Sequence, residues 1–323
     1  MSWKSEHLQF VLLNDNYIIA EHVKLNLTAI LKVTFAVVVW GASFIATKIA
    51  LREVAPMTII WIRFGIGVAI LAAFAAARKE LALPSFRELG YFSLLGFTGI
   101  TFHQWLQANG LITAQATTFA WIITTTPIFI AVLGWLMLNE RLGWSRVGGI
   151  ALATIGVLLV VSHGDVRALA NGNFGTRGDF LVLLSSPNWA IFSVISRKGL
   201  KKYPATQMML YVMALGWLFT TPLFFAEKGF SEIGQLTFSG WMSIAFLGVF
   251  CSGFAYIFWY DALKSISASQ VGAFLYLEPL VAAVVAAFLL DEKILATALA
   301  GGALILVGVW IVNRQAAIKA SNE

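Results

Sequence analysis

Apolar residues fall in ten blocks of about 20, at 28–50, 57–77, 89–109, 116–138, 145–162, 179–197, 206–226, 239–261, 269–290 and 295–313, and no other feature restricts the fold as strongly. At about 1.5 Å per residue a helix of that length covers about 30 Å, the thickness of a bilayer's hydrocarbon. Hydrocarbon offers no hydrogen bonds, so a spanning chain must be a helix or a closed barrel. Barrel strands alternate polar and apolar residues and need only about 9–11 of them, which these blocks do not resemble. Composition agrees: 59% of the 323 residues are hydrophobic and 12% charged, where a soluble domain carries about 25% charged. The sequence predicts an all-α polytopic membrane protein with ten transmembrane helices.

Charge sets the expected orientation. With the N-terminus in the cytoplasm, fourteen Lys and Arg lie in inner segments, and only Arg52, Arg167, Arg177, Lys228 and Lys293 lie outside. The positive-inside preference therefore places both termini in the cytoplasm. The net charge of +6 orients the chain against anionic membrane lipid and forms no nucleic-acid patch. One cysteine, Cys251, and four scattered histidines provide no disulfide framework and no metal-ligand spacing. Residues 1–27 read as a cytoplasmic extension, without the pattern of a cleaved signal.

The chain is also internally repeated. TPIFIAVLGWLMLNERL from Thr126 matches EPLVAAVVAAFLLDEKI from Glu278, with Pro127 and Pro279 each thirteen positions before an acid, Glu140 or Glu292. The same offset of 152 pairs Gly149 with Gly301, Gly156 with Gly308 and Gly96 with Gly248. The expected units are a first repeat at 28–162, a connection at 163–178, a second repeat at 179–313 and a tail at 314–323. Each repeat has five spans, an odd number, so the second enters the membrane from the opposite side. Inverted repeats of this kind are common in secondary transporters, with the site near the midplane.

The stretches WGASFIATKIALREVAP (40–56), TTTPIFIAVLGWLMLNERL (124–142) and LEPLVAAVVAAFLLDEKI (277–294) resemble the EamA-type repeats of the drug/metabolite transporter superfamily, over about residues 28–313. The resemblance implies ten helices, cytoplasmic termini, a central cavity and export of amino acids or other small metabolites without ATP. The chain has no GxxxxGK[ST] phosphate loop.

Polar residues inside the spans are the candidates for function, since an ionisable group at a helix centre costs about 2.5–3.5 kcal/mol on insertion scales. Glu278 falls at the middle of span 9, directly before Pro279. The proline removes one amide donor and disfavours a bond to the carbonyl of Leu275, so a kink and a free carbonyl are expected beside the acid. Glu278 can carry a proton, receive a substrate amine, or be a neutral or Arg63-paired structural element. Its counterpart is Thr126 before Pro127, which makes the kinks at Pro127 and Pro279 architectural. Arg63, two turns into span 2, can pair Glu278, hold a substrate carboxylate, or anchor the helix near the headgroups.

Gln104 and Gln107, with His103, share a face of span 3, and their counterparts in span 8 are Tyr256, Trp259 and, for Asn109, Asp261; together they are expected to form two walls of a cavity. Trp40, Ser43 and Thr47 share a face of span 1; Trp121, Thr124 and Thr125 line part of span 4, and Tyr276 takes the place of Thr124 in span 9. Lys32 and Lys48 are expected to snorkel from the ends of span 1, Glu140 and Glu292 to form solvated pairs with Arg141 and Lys293, and the glycine pairs 148/149 and 301/302 to allow close helix packing.

The expected function is a secondary transporter in the cell (inner) membrane that exports small metabolites, with no cofactor and no enzymatic chemistry. A non-transporting component, such as a lipid-flippase partner or a sensor, is the alternative. A homodimer is compatible with either.

Overall fold

The computed structural model describes residues 5–138, 143–165, 167, 175–265, 271–272 and 274–320. Among them every regular element is helical. The helices are α1 (Ser5–Ala50), α2 (Pro56–Ala77), α3 (Phe86–Gly96), α4 (His103–Thr113), α5 (Ala116–Ile123), α6 (Thr126–Leu138), α7 (Trp144–Val161), α8 (Arg177–Leu200), α9 (Ala205–Ala226), the short α10 (Gly229–Ile233), α11 (Phe238–Phe246), α12 (Ala255–Ser265), α13 (Glu278–Leu289) and α14 (Ala296–Ala320). Among the described residues five stretches are long and apolar enough to cross a membrane: Leu27–Ala50, Pro56–Ala77, Arg177–Ser196, Ala205–Ala226 and Phe238–Ala262. Large apolar side chains also stand exposed around the outside, Trp144, Phe180, Phe225, Phe288 and Trp310 among them. In water such a belt would be an aggregation surface; in lipid it is the ordinary exterior. The chain is a polytopic helical membrane protein.

Helix packing obeys the internal repeat. α1 packs on α12 and α13, and its counterpart α8 packs on α4 and α6; α2 lies against α9, and α7 against α14. The last pair runs antiparallel: a side chain on Gly149 would meet the Gly308 carbonyl oxygen at 2.7 Å, and one on Gly156 would meet that of Gly301 at 2.6 Å. The expectation of close packing thus holds at Gly149 and Gly301, and Gly302 lies against the Trp121 ring, whereas nothing approaches Gly148 within 4 Å. α2 and α9 are antiparallel too. At one end the Met57 amide donates to Glu227 (3.2 Å), and at the other Arg78 donates to Thr206 (3.1 Å). In both pairs, helices at matching places in the two repeats run head to tail.

Spans 3 and 8 contain a feature absent from the expectations. Each switches to π-helix at matching places, Phe97–Phe102 and Leu247–Phe254, between α3 and α4 and between α11 and α12. Wide turns of this sort insert extra residues and are frequent at functional sites. Each π segment packs on the second helix of the other repeat, with Gly96 against Gly216 and Gly248 against Ile66.

The proline breaks recur as expected, but their hydrogen bonding differs. Between α5 and α6 the hydroxyls of Thr124, Thr125 and Thr126 donate to the carbonyls of Ala120, Ile122 and Ile123 at 2.7–2.8 Å. Threonine side chains thus supply the bonds that the break removes. Before α13 the chain forms a 3₁₀ turn, Leu275–Leu277, and the Glu278 amide donates to the Leu275 carbonyl. That carbonyl is therefore not free, contrary to expectation: tightening to i+3 bonding replaces the donor that Pro279 cannot supply.

The charged ends are more closely paired than the sequence implies. Both lysines of span 1 are engaged in ion pairs. Lys32 meets Asp261 at 2.8 Å, and Arg78 takes the same carboxylate with both terminal nitrogens at 3.0 Å. At the opposite end Lys48 donates to the Ala114 carbonyl (2.6 Å) and reaches Glu292 (3.4 Å). Glu292 in turn accepts from the amides of Ala116 and Thr117 (2.9 and 3.1 Å), the open N-terminus of α5. It is therefore a helix cap between spans and not a solvated partner of Lys293; Glu140 and Arg141 lie outside the described residues.

Beside Arg78's end, Glu88 caps α3 through the Ser85 amide (2.7 Å) and accepts from Lys202 (2.9 Å) and Tyr203 (2.7 Å). The Tyr203 hydroxyl foremost, then the Ser85 amide and Lys202, lower its pKa from 4.5 to about 2. A depressed carboxylate stabilises the fold above its unfolded pKa and loses that contribution as pH falls through the folded one. Amide protection at residues 85–89, the slowing of exchange relative to the unstructured chain at the same pH, is expected to be high at neutral pH and to fall between pH 4.5 and about 2. Glu88→Gln should remove the pH dependence.

Candidate functional site

A cleft lies where α1, α2 and α4 meet, lined by Ser43, Phe44, Thr47, Ile59, Ile60, Arg63, Gln104, Gln107, Ala108 and Leu111. Its free space is about 10 Å³, room for a single water. Each element supplies part of the polarity for a local reason. α1 places Ser43 and Thr47 one turn apart, their hydroxyls donating back to the carbonyls of Trp40 (2.6 Å) and Ser43 (2.8 Å), which leaves oxygen lone pairs on the helix surface. α4 places Gln104 and Gln107 three residues apart on one face. α2 contributes Arg63.

Arg63 is the centre of the arrangement. It is 7% exposed, with its Nε–H donating to Ser252 Oγ at 3.1 Å and Nη1–H to Gln104 Oε1 at 3.5 Å. The guanidinium also lies 4.9 Å from the Phe64 ring centroid. Ser252 belongs to the π segment of span 8 and was not among the sequence candidates. Only its small polar side chain beside a glycine-containing apolar run signals it. The neighbouring carbonyl, Cys251, accepts from Trp40 Nε1 at 3.1 Å. Trp40 in turn contacts Tyr256 and Trp259, with centroids 5.6 and 5.1 Å away. This aromatic group therefore adjoins the residue that orients Arg63.

The structure brings together Ser43, Arg63, Gln104 and Gln107 as lining, with Trp40, Tyr256 and Trp259 beside them. It separates the others. His103 turns to α8 and packs on Trp189 (4.7 Å). Trp121 is buried with Ile128, Ala153 and Ile305, and Tyr276 packs against the same group, so both belong to the contact with α7 and α14. Asn109 bonds back to the Trp105 carbonyl (2.9 Å), and Asp261 holds Lys32 and Arg78; neither is a cavity wall, because nearer partners satisfy them.

Glu278 is 8% exposed at the start of α13, with its carbonyl oxygen 2.9 Å from where a side chain on Gly41 would begin. It does not line the cleft. Among the described residues its carboxyl makes no hydrogen bond or ion pair, so of the alternatives the sequence left open the pairing with Arg63 is not the one formed. No group of three or more His, Cys, Asp or Glu converges on a metal position among the described residues.

A helical bundle with apolar side chains exposed around its outside and a buried polar cleft at Arg63 fits a membrane transporter. The chain belongs to the EamA-like transporter family, which it matches twice, at residues 27–162 and 176–314. It is 29% identical to an uncharacterized transporter of Archaeoglobus fulgidus, over 88% of this chain and 97% of that one. It is 28% identical to a protein of Streptantibioticus cattleyicolor named "Probable terminal-alkyne amino-acid exporter" (89% and 94%). To a "Probable amino-acid metabolite efflux pump" of Salmonella typhimurium it is 27% identical (85% and 91%). A crystal structure at 18% identity shares the fold, with a TM-score of 0.61 over 89% of this chain and 97% of the other.

Proposed function

We propose that the protein is a secondary exporter of small metabolites, amino acids or related compounds, in the inner cell membrane. The observation that carries this reading is the cleft at Arg63, a charged and amide-rich site inside an apolar bundle. Burying such groups is costly unless a ligand or a wet pathway uses them. The ten-span topology, two inverted five-helix repeats with both termini in the cytoplasm, is supported by the antiparallel pairing of α7 with α14 and of α2 with α9. In that topology the Lys48–Glu292 end is external. Alternating access then consists of one repeat rocking against the other, and a cleft with room for about one water is a closed stage of that cycle. The substrate gradient, or protons exchanged at Glu278, supplies the driving force. The names of the Streptantibioticus and Salmonella relatives favour amino-acid-like cargo.

A metabolite-resolved efflux screen tests the reading. Cells that overexpress the full chain are expected to lower the internal level of one or a few amino-acid-like metabolites and raise the external level. Profiles identical to those of cells without the protein would sink the exporter in favour of a non-transporting component.

A further inference from the structure

We infer that the cleft recognises its cargo through a carboxylate, held by Arg63; the inference rests on the exporter reading and adds the chemistry of the recognised group. Three other cations at the bundle's ends show how the fold normally treats positive charge. Lys32 and Arg78 share Asp261, and Lys48 reaches Glu292. Each of these side chains is 24–33% exposed. Arg63, at 7%, is the more deeply buried, yet its hydrogen-bond partners are a serine hydroxyl and a glutamine carbonyl, both neutral. Among the described residues no acid forms an ion pair with it. Glu278, the buried acid that could have served, is elsewhere.

A buried charge without a counter-charge is costly, and proteins keep one chiefly where a ligand supplies the missing charge. A guanidinium carries five N–H donors in a flat fork. Ser252 takes Nε–H, and Gln104 takes one Nη1–H at the long limit of 3.5 Å. The remaining donors at the head of the fork are matched in shape by the two oxygens of a carboxylate, and a single point acceptor would leave one unmet. Gln104 and Ser252 then act as orienting groups, one from each repeat, fixing the plane of the fork. Phe44, Ile59, Ile60 and Leu111 give the lining an apolar side beside the polar one of Ser43, Thr47 and Gln107, which suits a carboxylate borne on a small, partly apolar body.

The test is counterflow in proteoliposomes containing the purified full chain, with L-leucine, L-phenylalanine and 4-methylpentanoate as probes, each beside its primary amide. Acids are expected to exchange at least tenfold faster than their amides. Arg63→Gln should abolish that preference, and Arg63→Lys should retain part of it, because the charge survives and the fork does not. If Arg63→Gln elutes aggregated, the wild-type preference and Arg63→Lys decide the matter. Amides carried as fast as acids, or wild-type preference in Arg63→Gln, would overturn the assignment and leave the exporter standing. No flux of any probe would overturn both.

Discussion

Glu278→Gln is expected to lower transport at least tenfold, about 1.4 kcal/mol in barrier terms, while the protein elutes and unfolds as the wild type does. The amide reproduces the size and planarity of a neutral carboxylic acid but cannot release a proton. At this position no partner distinguishes the two shapes: the carboxyl is buried, and the Glu278 amide, not the side chain, satisfies the Leu275 carbonyl. A structural Glu278 would therefore tolerate glutamine. One that loads and unloads a proton during the cycle would not, because the step itself is removed. The decisive measurement is substrate efflux as a function of imposed pH gradient. Wild-type flux with unchanged pH response in Glu278→Gln would eliminate the proton-carrying role. Loss of the pH response with residual downhill flux would identify the residue as the coupling site rather than a substrate ligand.

The repeat makes this variant more informative than a lone acid would be. At the matching place in the first repeat Thr126 donates to the Ile123 carbonyl at 2.7 Å, so its polar group serves the break itself. In the second repeat the break is closed by backbone alone and the polar group is left over. Glu278 is thus a polar group that the break does not use, in an environment that penalises it, and its substitution tests a role in the transport cycle apart from any role in the break.

Much of this could be seen in the sequence because lipid imposes length and apolarity on every span, and because duplicated segments keep their register. The breaks before Pro127 and Pro279, the shared face of Gln104 and Gln107 and the close approach at Gly149 follow from such local patterns, whereas nothing in them joins Arg63 to Gln104. The π segments do not. They depend on one extra residue per turn, which hydropathy blocks cannot register, and they place Ser252 against Arg63 and the Cys251 carbonyl against Trp40. Long-range charge pairing was equally hidden. Glu292 stands beside Lys293 in sequence, yet its oxygens are taken by Lys48 and the start of α5. Trp121 in span 4 and Tyr276, at the place of Thr124 in span 9, face the α7–α14 contact, since helix rotation is set by packing partners that periodicity in an all-apolar helix does not reveal.

That same contact supports the second large effect. Gly149→Val should cost about 1–3 kcal/mol from overpacking and sharply reduce the yield of monodisperse protein, whereas Gly148→Val, one position away, should be silent. A β-carbon at 149 would lie 2.7 Å from the Gly308 carbonyl oxygen and 3.0 Å from Val312, and a side chain at 156 would be 2.6 Å from Gly301's. Backbone oxygens on an antiparallel helix cannot rotate aside as side chains can, so α7 and α14 must separate along their length. Separation forfeits the dispersion contacts that hold helices together in lipid, where no hydrophobic force replaces them. At 148 nothing lies within 4 Å, and the new methyls meet lipid. Melting midpoints in detergent for the two variants make the comparison. Equal destabilisation would mean that valine's helix propensity, not the seam, is responsible; no effect at 149 would refute the close antiparallel contact of α7 with α14.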